Sequence, residues 1–499
     1  MNKKKGIIIA AAAAVVLVAV LLILIFVPKG GSDEGTASID EPAKLSVSTD
    51  KDGLHQANVQ TDKDGKIAAN GYGTLLEYYP ADIKAIHIEN KKGTIDVASE
   101  TPKGEATVYT LKGYEDFDLQ GGNPDLIASA AAELKFTKIA TLDKSKEADF
   151  GFDKPRSVVT VTFDDGTKAV ITVGDDAPQQ AGTYIKFGTG DAVYVADTES
   201  ISAFDYGVTD LISITINEAA ENTDNNTASS ISLSGSAFEK DITLEPNDNE
   251  NYSASYKMTA PVNRYANENE SSLVAGGIRG LLANAVTMVK PSEAQLTELG
   301  LSKPYAALKA VYPDETVELI AAKPDSDGNV NIMVSGRSVV YSISAEKVPW
   351  TQTDYAKLCS EYVCYPKMTK LTKMSVKANG KTYDFDLSSR ESVTTDESGV
   401  ESTSTVTTVK YGGKEIPIGD FTTFYNDIAL IGLSDVKDDS GSGSEALSVT
   451  YTFTDESSDT AQFYASGDKY IAKLNGKYAG HSTKGDVTRA VKGVAEVTK

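Results

Sequence analysis

The chain has 499 residues, of which 48 are Lys or Arg and 71 are Asp or Glu, so its formal net charge is −23. A surface this acidic repels the phosphates of nucleic acids and of anionic membranes, which argues against nucleic-acid binding. The length is too great for one hydrophobic core and predicts several domains of roughly 100–200 residues each.

The N-terminus predicts a single membrane anchor. Residues 1–5 include three lysines, and residues 6–27 form an uncharged run rich in Ile, Ala, Val and Leu. A helix rising about 1.5 Å per residue would span roughly 33 Å here, enough for a hydrocarbon core of about 30 Å. By the positive-inside rule, we expect residues 1–5 in the cytoplasm and the bulk of the chain outside the cell membrane. A cleaved signal peptide is the alternative, although its apolar region is normally shorter and ends at an Ala-x-Ala-like site.

Residues 28–79 are rich in Gly, Ser, Asp, Lys and Ala, a composition that predicts a tether. Within it, the sequence Thr-Asp-Lys-Asp-Gly at residues 49–53 recurs at residues 61–65. An EF-hand calcium loop needs oxygen ligands at alternate positions and a Glu at the twelfth, and neither copy has them. We therefore interpret both copies as Asp-Gly hairpin turns, with calcium binding as the alternative.

A long internal repeat follows the tether. The sequence Phe-Gly-Phe-Asp-Lys-Pro at residues 150–155 returns as Leu-Gly-Leu-Ser-Lys-Pro at residues 299–304, and a downstream Asp-Tyr pair returns at the same offset. Between these landmarks, period-two alternation around turns predicts two successive hairpins in each copy. The C-terminal part repeats the pattern more loosely. The helices predicted by capping residues and apolar spacing cover residues 123–134, 271–282 and 421–431, with short ones near 201–204, 345–350 and 487–491.

The repeat predicts an α+β fold of three tandem modules, each made of antiparallel hairpins with helices packed on one face. We place module 1 at residues 80–207, module 2 at 208–360 and a degenerate module 3 at 361–499. Segments rich in Ser, Thr, Asn and acidic residues are interpreted as exposed, mobile insertions or loops. These segments are residues 217–251, 388–407 and 432–445.

No catalytic, cofactor-binding or metal-binding residue can be assigned from the sequence. The three histidines, His55, His87 and His481, are scattered and lack neighbours at metal-ligand spacing. The chain contains neither a Gly-x-Ser-x-Gly turn nor a phosphate-binding loop motif. The sequence therefore favours a protein that acts by binding and is not an enzyme.

Two groups of residues leave alternatives open. Residues 325–331 are the best local cluster of oxygen ligands and are interpreted as a tight hairpin turn, with a cation site as the alternative. The tyrosines at positions 184, 194, 341, 470 and 478 are interpreted as packing residues, with a binding face of stacked aromatic rings as the alternative.

Cys359 and Cys364 are the only cysteines. If residues 354–363 are helical, this pair diverges around the helix and lies at the edge of disulfide reach. Two outcomes therefore remain open, a local disulfide formed where the helix ends before Pro366, or two small apolar residues.

The Gly-Leu-x-x-Pro turn at residues 300–304, the hairpins around it and the N-terminal anchor together resemble a bacterial family known as domain of unknown function 4340. The resemblance extends over nearly all of the chain beyond the tether, and it is weaker in the third copy, where no Pro follows residues 432–434. It implies an extracytoplasmic partner of ABC transport systems, similar to gliding-motility-type auxiliary proteins. It implies no catalytic residues and no cofactor.

These observations predict a non-catalytic, membrane-anchored extracytoplasmic binding or scaffold protein, acting as an accessory subunit of an ABC-type transport or envelope complex. The expected partners are the membrane, through the anchor, and ABC transporter subunits or other envelope proteins. The alternative is a surface protein that binds envelope polysaccharide or another ligand. A hydrolase with a site of dispersed carboxylates is the least favoured interpretation.

Overall fold

The computed structural model describes residues 41–395, 401–435 and 443–499. The predicted cytoplasmic tail and anchor at residues 1–27 lie outside this part of the chain, as does the beginning of the tether. None of the helices in the described ranges is both long enough and apolar enough to span a bilayer. The chain divides into two compact units. The first comprises Met1–Gly113 and Asp125–Asp205, and the second comprises Tyr114–Pro124 and Tyr206–Lys499.

Antiparallel sheets separated by helices dominate both units, which confirms the α+β class. Apolar side chains alternate with polar ones along most strands, so that one face of each sheet is buried. In chain order, the elements up to residue 201 are β1 (Leu45–Thr49), β2 (His55–Val59), β3 (Gly73–Glu77), β4 (Ile83–Asn90), β5 (Gly93–Glu100), β6 (Val108–Leu111), α1 (Asn123–Ala132), β7 (Glu133–Phe136), β8 (Lys138–Thr141), β9 (Ser157–Phe163), β10 (Lys168–Asp176), β11 (Thr183–Phe187), β12 (Val193–Ala196) and α2 (Thr198–Ile201).

The remaining elements continue the same alternation of hairpins and helices. They are α3 (Val208–Leu211), β13 (Ser230–Ser234), β14 (Ile242–Pro246), β15 (Tyr256–Ala260), β16 (Arg264–Tyr265), α4 (Glu268–Gly276), β17 (Ala285–Val289), α5 (Glu293–Glu298), β18 (Ala306–Val311), β19 (Thr316–Ala321), β20 (Asn329–Val334), β21 (Val339–Ser344), α6 (Tyr355–Leu358), β22 (Leu371–Ala378), β23 (Lys381–Thr395), β24 (Glu401–Tyr411), β25 (Lys414–Ile416), α7 (Ile418–Ala429), β26 (Leu433–Asp435), β27 (Glu445–Phe453), β28 (Ser458–Ser466), β29 (Lys469–Leu474), β30 (Lys477–Thr483) and α8 (Lys484–Val497).

Three large sheets share one strand order. In each, strands before the main helix form one half and strands after it form the other. In sheets 2 and 3 the strand that directly follows the helix closes the far edge, whereas in sheet 1 this edge strand is β8, because β7 pairs with β3 in a separate two-stranded sheet. Sheets 2 and 3 have identical orders, so the third copy keeps every strand although its sequence signature is weak. The orders are β6-β5-β4-β9-β10-β11-β12-β8 in sheet 1, β16-β15-β14-β13-β18-β19-β20-β21-β17 in sheet 2 and β25-β24-β23-β22-β27-β28-β29-β30-β26 in sheet 3.

The main helices occur where the sequence placed them, but their ends differ. Helix α1 ends at Ala132, not at residue 134, because the following residues enter strand β7. Helix α4 begins earlier than predicted because the Asn267 side chain accepts a hydrogen bond from the Glu270 amide and caps it. It also ends earlier, at Gly276. Helix α7 begins three residues before the predicted 421–431 and ends at Ala429, and helix α8 extends beyond the predicted 487–491 at both ends.

The interpretation of residues 217–251 and 388–407 as insertions is wrong where these ranges form strands. The first range contains β13 and β14, in which Ile231 and Leu233 are fully buried while the intervening serines face outward. The second contains the paired parts of β23 and β24, whose register runs through Ser389 opposite Thr407. Ser and Thr are compatible with a strand that has one wet face, so composition alone gave a misleading signal here.

The described part of the predicted tether is folded. Residues 45–59 form the β1–β2 hairpin, whose turn is closed by the Asp50 carboxylate. Its Oδ1 atom accepts hydrogen bonds from the amides of Asp52 and Leu54, both at 2.9 Å. The Asp62 carboxylate accepts equivalent bonds in the second copy of the pentapeptide. Both copies are therefore Asp turns, as the sequence indicated.

The same hairpin buries His55, which is only 7% exposed. The His55 Nδ1 atom lies 3.2 Å from the Thr49 hydroxyl, and its Nε2 atom lies 2.9 Å from the Tyr78 hydroxyl and 3.1 Å from the Thr167 hydroxyl. The ring also meets Phe163 edge-on. Burial lowers the pKa of His55 in spite of the nearby carboxylate of Asp165.

We expect the His55 site to make the chain less stable in acid. Because the folded state lowers the pKa of His55 below its unfolded value of about 6.5, His55 contributes stability above that pH and loses it as the pH falls. Thermal unfolding at about pH 7.5 and about pH 5 should show a larger drop in midpoint for the wild type than for His55→Gln.

His87 provides an internal control of opposite sign. On β4 it lies on the face opposite the buried Ile86 and Ile88, as predicted, and its Nδ1 atom lies 2.7 Å from the Asp96 carboxylate. This hydrogen bond raises the pKa of His87, so its contribution is present at low pH and is lost as the pH rises through the raised value. His87→Gln should therefore enlarge the acid loss that His55→Gln reduces. An equal loss of thermal midpoint in acid for the wild type, His55→Gln and His87→Gln would refute the opposite pKa shifts assigned to the two histidines.

Candidate ligand-binding cleft between sheets 2 and 3

Residues 359–367 connect sheet 2 to sheet 3 within the second unit and hydrogen-bond to both. On one side, the Ser360 amide donates to the Tyr265 carbonyl at 3.0 Å. On the other, the Leu433 amide donates to the Glu361 carbonyl at 2.7 Å. The Lys367 amide then donates to the Asn251 carbonyl, linking sheet 2 to the start of the next sheet. We call residues 359–367 the linker.

The linker is extended, which corrects the prediction of a helix over residues 354–363. Helix α6 is capped by Asp354, whose side chain accepts from the Lys357 amide, but it ends at Leu358. Cys359 already has extended backbone angles and bridges Ala266. Strand-like pairing with sheet 2 thus replaces the second and third turns of the expected helix.

Both cysteines are free thiols, so the structure has the second of the two outcomes left open by the sequence. The Cys359 sulfur lies 3.8 Å from the Met258 sulfur, next to sheet 2. Cys364 belongs to the hydrophobic core of sheet 3. Burial raises the pKa of both thiols, which keeps them protonated and poorly nucleophilic.

We therefore expect neither cysteine to react in the native protein. At about pH 8, where an exposed thiol is partly ionised, an alkylating reagent should label neither Cys359 nor Cys364, and it should label both after denaturation. Mass spectrometry of the labelled chain measures this directly. Absence of labelling even in denaturant without reductant, followed by labelling with reductant, would instead demonstrate a disulfide.

Two stacked tyrosines form the floor of the cleft. The rings of Tyr252 and Tyr265 are 4.1 Å apart with an interplanar angle of 25°. The Tyr252 hydroxyl donates a short hydrogen bond to the Asp459 carboxylate of sheet 3, and the Asn249 amide donates to the Tyr265 hydroxyl at 3.0 Å. Burial raises the pKa of Tyr265 to about 12 and that of Tyr252 further, so both phenols are neutral.

Two adjoining cavities open beside these rings. The first has a volume of about 230 Å³ and the second about 250 Å³. Both are lined by Tyr265, Ser360 and Tyr362, so they form one cleft that follows the linker. Aromatic rings with nearby hydroxyl, amide and charged groups are the usual lining of a site for a small polar ligand.

The second cavity is the charged end of the cleft. Its lining includes Lys257, Arg264 and Lys477, against a single carboxylate from Asp459. That carboxylate already accepts hydrogen bonds from the Tyr252 hydroxyl and, at 2.7 Å, from the Asn475 amide. The Nη1 atom of Arg264 is buried and has no hydrogen-bond partner among the described residues. An unpaired buried donor of this kind costs about 1–3 kcal/mol.

The tyrosines singled out from the sequence have different roles. Tyr194 and Tyr341 are buried packing residues, as interpreted. Tyr184 packs against Phe150, and Tyr470 packs against the core of sheet 3. Tyr478 alone of the five lines the second cavity.

Residues 325–328 form a hairpin turn, and residues 329–331 begin strand β20. The Asp325 carboxylate accepts hydrogen bonds from the Asp327 and Asn329 amides, the same geometry as in the β1–β2 turn. In the ranges that the structure describes, no group of three or more His, Cys, Asp or Glu side chains is arranged to hold a metal ion.

Sequence reasoning missed Tyr252, Arg264 and Tyr265. Each is unremarkable locally, and the nearest signal was the density of Tyr and Asn in residues 247–267, which the composition assigned in part to an insertion. The linker was considered only for its cysteines.

Residues 109–287 match the model of the family described as Domain of unknown function (DUF4340). The resemblance to DUF4340 is thus confirmed over residues that run from β6 to β17. Neither the curated proteins nor the solved structures include a match to this chain.

The DUF4340 match covers part of the cleft. Tyr252, Arg264 and Tyr265 lie inside the matched range, whereas the linker and Asp459 lie beyond it. The cleft therefore joins a DUF4340-like sheet edge to residues of the following sheet.

Proposed function

We propose that this chain is a non-catalytic, membrane-anchored extracytoplasmic binding protein that serves as an accessory subunit of an ABC-type transport or envelope complex. In this proposal, residues 6–27 hold it in the cell membrane, and three tandem modules with helices packed on their sheets form the part outside. The cleft between sheets 2 and 3 is its ligand-binding site.

The observation that carries the proposal is the composition of the cleft. It combines stacked tyrosines, amide groups and cations, which suit binding. The Cys364 thiol and the Tyr252 phenol, which line the first cavity, have raised pKa values that disfavour nucleophilic chemistry. The role beside an ABC transporter rests on the resemblance to DUF4340 and on the predicted anchor.

Crosslinking in native membranes followed by mass spectrometry tests the partner. The full-length chain should recover transporter subunits, and a chain lacking residues 1–27 should recover far fewer. Failure of both forms to recover any membrane protein would refute the accessory-subunit role.

A polysaccharide-binding surface protein is the second candidate, favoured by the tyrosine-lined cleft. Aromatic rings beside amide groups stack on and hydrogen-bond to sugar rings. Retention of the form lacking residues 1–27 on isolated cell wall would support this candidate. Loss of retention in Tyr265→Ala, with an unchanged thermal midpoint, would assign it to the cleft.

A further inference from the structure

Arg264 occupies an unusual position for a charged residue. It lies on β16, a two-residue strand at the edge of sheet 2, and it pairs through the backbone with Met258. Its guanidinium hydrogen-bonds to the Cys359 thiol, a neutral group that does not balance its charge. The Nη1 atom is buried without a hydrogen-bond partner in the described part of the chain, and Arg264 lines the second cavity. Buried guanidinium donors in native proteins normally face a carboxylate or a phosphate.

The charge around Arg264 points to the same ligand chemistry. Lys257 and Lys477 line the same cavity, so three cationic residues border it in a chain whose net charge is −23. Neither lysine competes for Asp459, because that carboxylate is held by Tyr252 and Asn475. An anion is repelled by most of this surface and attracted at this cavity, which makes the site selective.

We propose that the second cavity binds an anionic group, a carboxylate or a phosphate, on Arg264, with the body of the ligand packed against Tyr265, Tyr362 and Tyr478. This inference rests on the proposed function as a binding protein and specifies the chemical class of its ligand. Lys477, at the exposed rim, attracts the anion, and the guanidinium holds it with charge-assisted hydrogen bonds.

The size of the cavity limits what enters it. Its volume of about 250 Å³ is below the range of about 300–1,000 Å³ typical of sites that enclose a drug-sized molecule. The cavity therefore takes a single acidic ring or the acidic end of a longer chain. The first cavity, which shares Tyr265 and Tyr362 with it, extends the cleft for the rest of a longer ligand.

Isothermal titration calorimetry of the full-length protein in detergent tests the proposal with three probes. Glucuronate presents a carboxylate, glycerol phosphate presents a phosphate, and glucose is the neutral control. We expect at least one anionic probe to bind about tenfold more tightly than glucose, and binding to weaken as salt is added. The anionic probe that binds more tightly shows whether the cavity prefers a carboxylate or a phosphate.

Three variants locate the site. Arg264→Gln should weaken the anionic probe about tenfold or more, and Lys477→Gln should weaken it by a smaller factor of about two to five. The matched control is Arg337→Gln, an exposed arginine on the turn between β20 and β21 of the same sheet, which should leave binding unchanged. Because Lys477 is exposed, its variant remains informative even if Arg264→Gln proves poorly folded by thermal melting.

Failure of both anionic probes to bind the wild type, or equal binding by the wild type, Arg264→Gln and Lys477→Gln, would overturn the proposal. These outcomes are separate from the membrane crosslinking, because recovery of transporter subunits does not require an occupied cavity. Recovery of transporter subunits without anion binding would support the proposed function and refute this inference. Anion binding without recovery of any subunit would support this inference and refute the accessory-subunit role.

Discussion

Replacing Tyr252 with Ala is expected to destabilise the second unit by about 3–5 kcal/mol. The side chain is only 3% exposed, stacks on Tyr265 and packs against Phe453 of sheet 3. Truncation leaves a cavity in the hydrophobic core of sheet 3, to which Tyr252 belongs. Urea unfolding followed by the fluorescence of Trp350, the only tryptophan, measures the change.

Tyr252→Phe separates packing from hydrogen bonding. It keeps the ring but removes the donor to Asp459, so we expect a loss of about 1–2 kcal/mol. Tyr365→Ala is the matched control, since this linker tyrosine is 43% exposed and should cost about 1 kcal/mol or less. A Tyr252→Ala protein as stable as the control would show that Tyr252 does not join the two sheets.

Trp350→Ala should also cost about 3–5 kcal/mol. Trp350 is fully buried in the 3₁₀ turn Pro349–Thr351 that follows β21, and its indole Nε1 donates to the Gly277 carbonyl at 3.0 Å. Gly277 ends helix α4 at a close approach, because a Cβ atom there would lie 2.5 Å from Pro349. The tryptophan therefore holds the end of the main helix against the 3₁₀ turns that follow β21.

Circular dichroism must report this unfolding, because the variant lacks the fluorophore. Trp350→Phe, which keeps most of the ring but leaves the Gly277 carbonyl unpaired, should lose about 1–3 kcal/mol. The order wild type, Phe, Ala in urea midpoint is the expected result. An Ala variant that unfolds at the wild-type midpoint would contradict the assigned packing.

The hairpins were predictable because alternation is a local property. Alternate residues of β9 and β10 are apolar from Val159 to Phe163 and from Ala169 to Val173, and these side chains are buried as the sequence indicated. The polar strands β13, β23 and β24 were missed because only one face of each needs apolar residues, and Ser and Thr fill the other. His55 was missed for a related reason, since its hairpin is stabilised by packing that its own composition does not reveal.

The cleft could not be predicted from local patterns. Tyr252 and Asp459 are 207 residues apart in the sequence and meet only because the linker pairs with both sheets. Similarly, the environment of Arg264 depends on Lys477 and Tyr478, which belong to the sheet that follows. Spacing motifs identify sites within one element, whereas this site is assembled by the contact of two.

The assignment of residues 114–124 to the second unit has a consequence for the synthesis of the chain. Leu119 bridges Ile212, the Ser213 amide donates to the Asp118 carbonyl at 2.9 Å, and Lys290 lies over the ring of Tyr114. The segment thus leaves the ribosome well before the partners that it needs, while the first unit is still being made. The two units cannot be released by a single cut at residue 205, because such a cut leaves this segment covalently attached to the wrong fragment. A nicked chain should therefore stay associated through it, as two complementing halves.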